Sequence, residues 1–166
     1  MIGRMTDTAV WNISGLLLGY LVGSLPLGSM LIRAFSGRDA NSFAAHNMGV
    51  ENVMRIVGPR IAISAFLVDV LKGYAAVGLG FGSPWAAVGV FAGHLYPLPL
   101  TWFNSVPRGR GNGVLLGILV GLVAFANLNL WLVLIPAAVF ALILGLSRYV
   151  ALATLAALIA LLIVAA

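Results

Sequence analysis

The sequence predicts an all-α integral membrane protein, a single bundle of about six transmembrane helices. Hydrophobic residues make up 62% of the chain and charged residues only 8%. Soluble domains carry about 25% charged residues, so this composition excludes a soluble fold. The apolar runs are separated by short segments that hold most of the arginines, which is the usual arrangement of spans and loops. Residues 1–166 are expected to form one transmembrane domain.

Six apolar runs account for the predicted helices, most of them close to the length of about 20 residues that crosses a bilayer. The first run is interrupted at Pro26, where we expect a kink. No small-residue cleavage site follows this run, so it is interpreted as a retained helix rather than a signal peptide. The fourth run is short for a span. The predicted spans are residues 11–32, 61–81, 84–103, 114–126, 130–146 and 150–166.

The distribution of basic residues predicts the orientation in the membrane. With the N-terminus outside, residues 33–60, residues 108–110 and Arg148 lie on the cytoplasmic side, and only Arg4 lies outside. This arrangement satisfies the positive-inside rule. The net charge of +5 therefore reflects topology and attraction to anionic lipid rather than nucleic-acid binding. We expect a multi-pass protein of the plasma membrane, with its motif loops on the cytoplasmic face.

A glycine-rich loop at residues 106–114 is the most distinctive stretch of the chain. Three glycines alternate there with Arg108, Arg110 and Asn112, and an aliphatic run follows at once. A helix that begins after such a loop directs its free N–H groups toward it, and two guanidinium groups beside these donors suit a phosphate or a carboxylate. The alternative is an ordinary cytoplasmic loop, which is basic because such loops usually are.

Three ionisable residues fall inside predicted spans. Asp69 and Lys72 are three residues apart, hence on one helix face, and the cost of a charge in the bilayer should turn both toward the protein interior. Lys72 is either a contact for an anionic substrate or half of a buried ion pair that orients helices. His94 is either a hydrogen-bonded core residue or a general base. It has no second histidine or carboxylate at metal-ligand spacing, so no metal site is expected. The absence of cysteine excludes disulfides and thiolate chemistry.

Six short motifs occur in order along the chain from Gly23 to about Leu155. They are Gly23-Ser24-x-Pro26-x-Gly28, Asn47-x-Gly49-x-x-Asn52-x-x-Arg55, Asp69-x-x-Lys72-Gly73, Gly93-His94-x-x-Pro97, the glycine-rich loop and Arg148-Tyr149. Each motif is weak alone, but the order and the gaps between hydrophobic spans resemble the bacterial membrane acyl-phosphate:glycerol-3-phosphate acyltransferases.

This resemblance implies a helical membrane enzyme of phospholipid biosynthesis. Such an enzyme transfers a fatty acyl group from acyl phosphate to glycerol 3-phosphate and gives lysophosphatidate, with no cofactor, metal or nucleotide. Its partners are membrane lipid and these two phosphate-headed ligands. No catalytic residue is assigned. The resemblance and the charge pattern together give a set of candidate substrate-binding residues. They are Asn47, Gly49, Asn52, Arg55, Lys72, His94, Arg108, Arg110, Gly111, Gly113 and Arg148.

The chain also departs from the family pattern. Ala45 and Ala151 stand where the family has serine, and Asn112 stands where it has lysine. Glu51 adds a negative charge beside the phosphate site that the resemblance implies. The family's seventh helix and last cytoplasmic motif have no counterpart before Ala166. These departures keep open a catalytically degenerate relative, acting as a lipid-binding or accessory subunit of a membrane complex. A small anion transporter is a third alternative, although no inverted repeat is visible.

Overall fold

The computed structural model of the chain describes residues 2–37, 50–98 and 109–165. These residues are helical, with short turns between helices and no strand among them. Their helices are α1 (Ile2–Ser24), α2 (Leu27–Ser36), α3 (Val50–Val57), α4 (Pro59–Leu79), α5 (Pro84–Leu95), α6 (Asn112–Ala126), α7 (Trp131–Ser147) and α8 (Val150–Ala165).

The predicted spans correspond closely to helices, with three differences. The first span is longer than predicted and is divided into α1 and α2, which confirms the expected break at Pro26. The polar segment at residues 33–60, predicted without secondary structure, contains the short helix α3. The third span was predicted to reach residue 103, but α5 ends at Leu95 and residues 99–103 lie outside the described part of the chain. The described residues therefore contain eight helices where six were predicted.

Glycines allow α1 and α5 to approach each other closely. A methyl group added to Gly19 would fall on the backbone carbonyl of Ala86, and one added to Gly23 would fall on the carbonyl of Val90. Glycines at such contacts let two helix backbones come together, as is usual in membrane bundles. Because later residues of α1 meet later residues of α5, the two helices run parallel.

A second close pair is formed by α4 and α6. Gly113 lies against Phe66, and a methyl group at Gly117 would fall on the carbonyl of Val70. These helices are therefore also parallel. The turn at residues 80–83 joins α4 to α5 and reverses the chain, so the α4–α6 pair runs opposite to the α1–α5 pair. The C-terminal ends of α1 and α5 consequently lie at the same end of the bundle as the N-terminal end of α6.

The buried apolar side chains form two clusters along α4. One lies between α2, α3 and the first half of α4, and it contains Ile32, Val53, Ala62 and Ala65. The other lies between the second half of α4 and helices α5 and α6, and it contains Ala76, Val77, Ala87, Val90, Val114 and Ile118. Lys72 falls between the two clusters in the sequence of α4, so a charged residue interrupts the apolar core.

Helices α7 and α8 pack mainly against each other, and many of their large apolar side chains are exposed. Among the residues that the structure describes, two stretches are long and apolar enough to cross a membrane, Thr8–Ser36 and Pro59–Leu79, and α6, α7 and α8 are shorter apolar helices. The exposed apolar surface suits a lipid environment.

We predict that Gly19→Ala destabilises the protein by about 1–3 kcal/mol, because the added methyl group must separate α1 from α5. Thermal unfolding of the purified chain in detergent measures this change. Gly145→Ala in α7 is the matched control, since nothing lies within 4 Å of its Cβ position. Gly145→Ala should be neutral or slightly stabilising. Equal stability of the two variants would show that α1 and α5 are not in close contact.

Candidate functional site

The ammonium group of Lys72 lies at the meeting point of α1, α4 and α5. Its Nζ donates to the carbonyl oxygens of Leu25 at 3.1 Å and Gly23 at 3.4 Å, and lies 3.0 Å from Nδ1 of His94. The carboxylate of Asp69 is 3.5 Å away, one turn earlier on the same helix. Lys72 and His94 are only 3% and 2% exposed.

The break after α1 explains why a cation is placed there. The last carbonyls of a helix have no intrahelical donor, and Pro26 has no N–H group with which to continue the pattern. Gly23 is among these last residues of α1. Its carbonyl oxygen accepts a hydrogen bond from the Lys72 ammonium rather than from a backbone N–H of a following helical turn. A positive charge also complements the negative end of the α1 dipole.

The ion pair predicted between Asp69 and Lys72 is confirmed, and so is the inward direction of Lys72. The Asp69 side chain is 21% exposed and the Lys72 side chain 1%. The carboxylate therefore lies at the edge of the cluster, while the ammonium lies inside it. The pair spares the protein an isolated charge in its interior.

His94 is buried and lies at hydrogen-bond distance from Lys72, as expected for a hydrogen-bonded core residue, which is one of its two predicted roles. Its Nδ1 lies 3.0 Å from the Lys72 ammonium nitrogen, and the donor and acceptor roles of the two ring nitrogens depend on which tautomer is present. The opposite edge of the ring lies beside the glycine-rich loop, because Cδ2 is 3.5 Å from the Cβ position of Gly111.

An open cleft lies over this cluster, and the space of about 410 Å³ that it outlines includes open solvent. Ser29, Asp69, Lys72, His94 and Gly109 form its polar part. Its apolar wall comes from α2, α3 and α4 and consists of Ile32, Val53, Ala62, Ala65 and Phe66. A ligand with an anionic head and an apolar tail would match these two surfaces.

The predicted site residues are distributed unevenly around this cleft. Lys72 and His94 line it, and Gly113 packs on the Cβ of Asp69 at its edge. Gly111 has φ +83°, a left-handed conformation that favours glycine, and it forms the N-cap of α6. Asn47, Gly49 and Arg108 lie outside the described residues.

The described arginines of the predicted site do not line the cleft. Arg55, Arg110 and Arg148 are exposed. Two of them nevertheless adjoin lining residues, because Val53 lies on α3 with Arg55, and Gly109 precedes Arg110. Asn52 is half-buried on the same helix as Val53.

Arg148 lies in the turn between α7 and α8, where its φ is 59°. A hydrogen bond connects this region with the glycine-rich loop, since the Asn112 side-chain amide donates to Oγ1 of Thr154 at 2.9 Å. Thr154 is about one turn into α8. The turn that carries Arg148 therefore lies at the same end of the bundle as the start of α6.

Several cleft residues were missed from the sequence. Pro26 and Gly28 were assigned to a family motif, and Pro26 to the kink, but neither was named as a site residue. Asp69 was recognised as a partner of Lys72 but not as part of the cleft. Ser24 does not line the cleft, but its hydroxyl accepts from the N–H of Leu98 at 3.2 Å and so connects the chain after α5 with the end of α1. The sequence signal that could have indicated these residues is the break at Pro26 in one apolar span together with Lys72 inside another.

The sequence profile of glycerol-3-phosphate acyltransferases matches residues 13–166. The chain belongs to the glycerol-3-phosphate acyltransferase family. The protein of that name from Rippkaea orientalis is 34% identical over 165 residues, which cover 87% of this chain and 71% of the relative. Those from Rhodopseudomonas palustris strain BisB5 and Mesorhizobium japonicum are 40% and 38% identical. Their alignments cover 66% and 72% of this chain. The chain spans only 57% and 64% of the length of these two relatives.

The fold of the family is found in a solved structure as well. The chain resembles PlsY, an integral membrane glycerol 3-phosphate acyltransferase, in its glycerol 3-phosphate form, with a TM-score of 0.72 and 25% identity over 90% of this chain and 74% of that one. The lysophosphatidic acid form of PlsY gives a TM-score of 0.69. The helical membrane fold predicted from composition is thereby confirmed.

Proposed function

We propose that the chain transfers a fatty acyl group from acyl phosphate to glycerol 3-phosphate and forms lysophosphatidate. The cleft is the observation that carries this proposal, because it joins a cationic cluster to an apolar wall beside the glycine-rich loop. Membership of the glycerol-3-phosphate acyltransferase family supports it. So do the glycerol 3-phosphate and lysophosphatidic acid forms of PlsY.

In the proposed reaction a hydroxyl oxygen of glycerol 3-phosphate attacks the acyl carbonyl carbon. A new ester bond forms, the bond between that carbon and the phosphate oxygen breaks, and the hydroxyl proton leaves with the released phosphate. Two phosphate-headed substrates must therefore lie together, and holding them in line is the main task of such a site. The positive end of α6 and the N–H groups of the glycine-rich loop suit one of these phosphates.

The residues in the proposed site have unequal roles. The Lys72 ammonium already contacts four protein acceptors, so it supplies positive charge and shape rather than a direct bond to substrate. The Asn112 amide is held by Thr154. Direct charge-assisted bonds to phosphate are proposed for Arg55 and Arg110 because both are cationic and exposed beside lining residues of the cleft. Asn47, Asn52, Arg108 and Arg148 are proposed as further contacts.

We further propose a multi-pass protein of the plasma membrane whose cleft faces the cytoplasm. The opposed directions of the helix pairs place the exposed Arg33, Arg55, Arg60, Arg110 and Arg148 at the cleft end of the bundle. Arg4 lies near the start of α1, at the opposite end. This asymmetry supports a cytoplasmic cleft by the positive-inside rule. The accessory-subunit and transporter alternatives are not favoured, since the similar proteins are acyltransferases.

Acyl transfer is tested with the purified chain in lipid nanodiscs, given palmitoyl phosphate and glycerol 3-phosphate. We expect lysophosphatidate by mass spectrometry, together with an equal amount of released phosphate. Glycerol, which lacks the phosphate, should be a poor acceptor. Arg55→Ala and Arg110→Ala should each raise KM for glycerol 3-phosphate about tenfold or more, since a hydrogen bond to a charged group contributes about 1.5–3 kcal/mol.

Arg33→Ala is the matched control, because Arg33 is an exposed arginine that follows the lining residue Ile32 but is not among the proposed phosphate contacts. It should behave like the native chain. Absence of product from the native chain would refute the activity. Identical kinetics for all three arginine variants would refute the assigned phosphate contacts.

Orientation is tested with single cysteines, which the absence of native cysteine makes simple. Ala34→Cys lies at the cleft end and Leu128→Cys at the opposite end, and both positions are exposed. A membrane-impermeant maleimide should label Leu128→Cys on intact spheroplasts, and label Ala34→Cys only after permeabilisation. The reverse labelling pattern would place the cleft outside the cell.

A further inference from the structure

The contact between Lys72 and His94 determines which nitrogen of the imidazole carries the proton. Nζ and Nδ1 are 3.0 Å apart, a hydrogen-bond distance, and both groups are almost completely buried. A protonated ring would have a donor on Nδ1, facing another donor. Because the ammonium has no lone pair, the compatible state is a neutral ring that accepts at Nδ1 and has its hydrogen on Nε2.

The edge of the ring that carries this hydrogen adjoins the start of α6. Cδ2, which is bonded to Nε2, lies 3.5 Å from the Cβ position of Gly111, and Nε2 itself is buried. Phe91, one turn earlier on α5, is still closer to the same position, at 2.8 Å. The side chains of α5 thus form a surface on which the glycine N-cap of α6 rests.

We propose that Lys72 is a positioning residue that acts through His94. It holds the imidazole as the Nε2–H tautomer, with that edge against Gly111, and thereby fixes the first N–H groups of α6 where substrate phosphate binds. The tautomer and the packing of the ring against Gly111 are inferred from the distances of His94 to Lys72 and to Gly111, and they do not depend on the proposed function. The effect of the α6 N–H groups on binding of the substrate phosphate rests on the proposed acyltransferase function.

Asp69 has a separate role from His94 around the same ammonium. Its carboxylate is 3.5 Å from Nζ and compensates the charge, whereas the group at hydrogen-bond distance from Nδ1 is the ammonium. Removing the charge of Asp69 leaves Lys72 as the donor to Nδ1. Asp69→Asn should therefore keep the tautomer, whereas removal of the ammonium should release it.

The experiment is two-bond proton–nitrogen NMR on the full chain with labelled histidine. The chain has two histidines, so the loss of one set of signals in His94→Gln assigns them. We expect the Nε2–H pattern for His94 in the native chain and in Asp69→Asn. In Lys72→Met the pattern should change to Nδ1–H or to a mixture, and the backbone amide signals of Gly111 and Asn112 should shift.

Lys72→Met leaves a carboxylate without its partner, which can prevent folding. The double variant Lys72→Met with Asp69→Asn removes both charges and is measured in parallel. In the acyl-transfer assay, KM for glycerol 3-phosphate should be about tenfold higher than in the native chain for whichever of the two variants folds. A tenfold change corresponds to the loss of one hydrogen-bond contribution. A residue that served only global stability would lower the yield of folded protein without changing the tautomer.

The proposal is overturned if native His94 shows the Nδ1–H pattern, or if the folded double variant keeps the Nε2–H pattern and unshifted amides. An unchanged KM in a variant that has lost the tautomer would refute the link to substrate. Failure of the proposed function is distinguishable, because it would appear as an inactive native chain whose NMR pattern is still Nε2–H. That result would refute acyl transfer and the substrate step while supporting the placement of the imidazole.

Discussion

The arrangement of the site depends on one ammonium group that satisfies the carbonyl oxygens left over where α1 breaks. Lys72 comes from α4, yet its donors reach Gly23 and Leu25, 49 and 47 residues away in sequence. Unsatisfied carbonyls in the interior of a membrane bundle would each cost several kcal/mol, by the general estimate for such groups in lipid. The break, the lysine and the cleft consequently depend on one another, because the chain can break between α1 and α2 only if the freed backbone carbonyls are compensated.

Close helix packing brings these groups within reach of one another. The glycines of α1 and α5 bring the end of α1 beside His94, and the glycines of α4 and α6 bring the glycine-rich loop beside Asp69. A methyl group at these contacts would collide with backbone atoms, which cannot move aside as a flexible side chain can. The same packing that stabilises the bundle therefore also sets the distance between the cationic cluster and the first turn of α6.

The sequence predicted well whatever depends on local pattern. Apolar run length located the helices, Pro26 located the break, and the spacing of Asp69 and Lys72 predicted their ion pair. Contacts between distant segments could not be predicted in this way. The partners of Lys72 on α1 and the contact of His94 with Lys72 depend on how helices pair, and no local pattern encodes that pairing.

The positions of the arginines likewise could be predicted only in part from the sequence. Their charge predicted a shared end, and the helix directions agree with it, but Arg55, Arg110 and Arg148 are exposed beside the cleft rather than inside it. The short amphipathic helix α3 was missed because eight residues give too little periodicity to separate it from a polar loop. Its Val53 nevertheless contributes to the apolar wall.

The most direct test of the cleft as the acceptor site is an experimental structure of the full chain with glycerol 3-phosphate bound. We predict that the phosphate lies in the cleft between Gly109 and the first turn of α6, with the Lys72 ammonium still bonded to the Leu25 carbonyl beneath it. A phosphate found outside the cleft, or a Lys72 side chain directed into lipid, would contradict this arrangement.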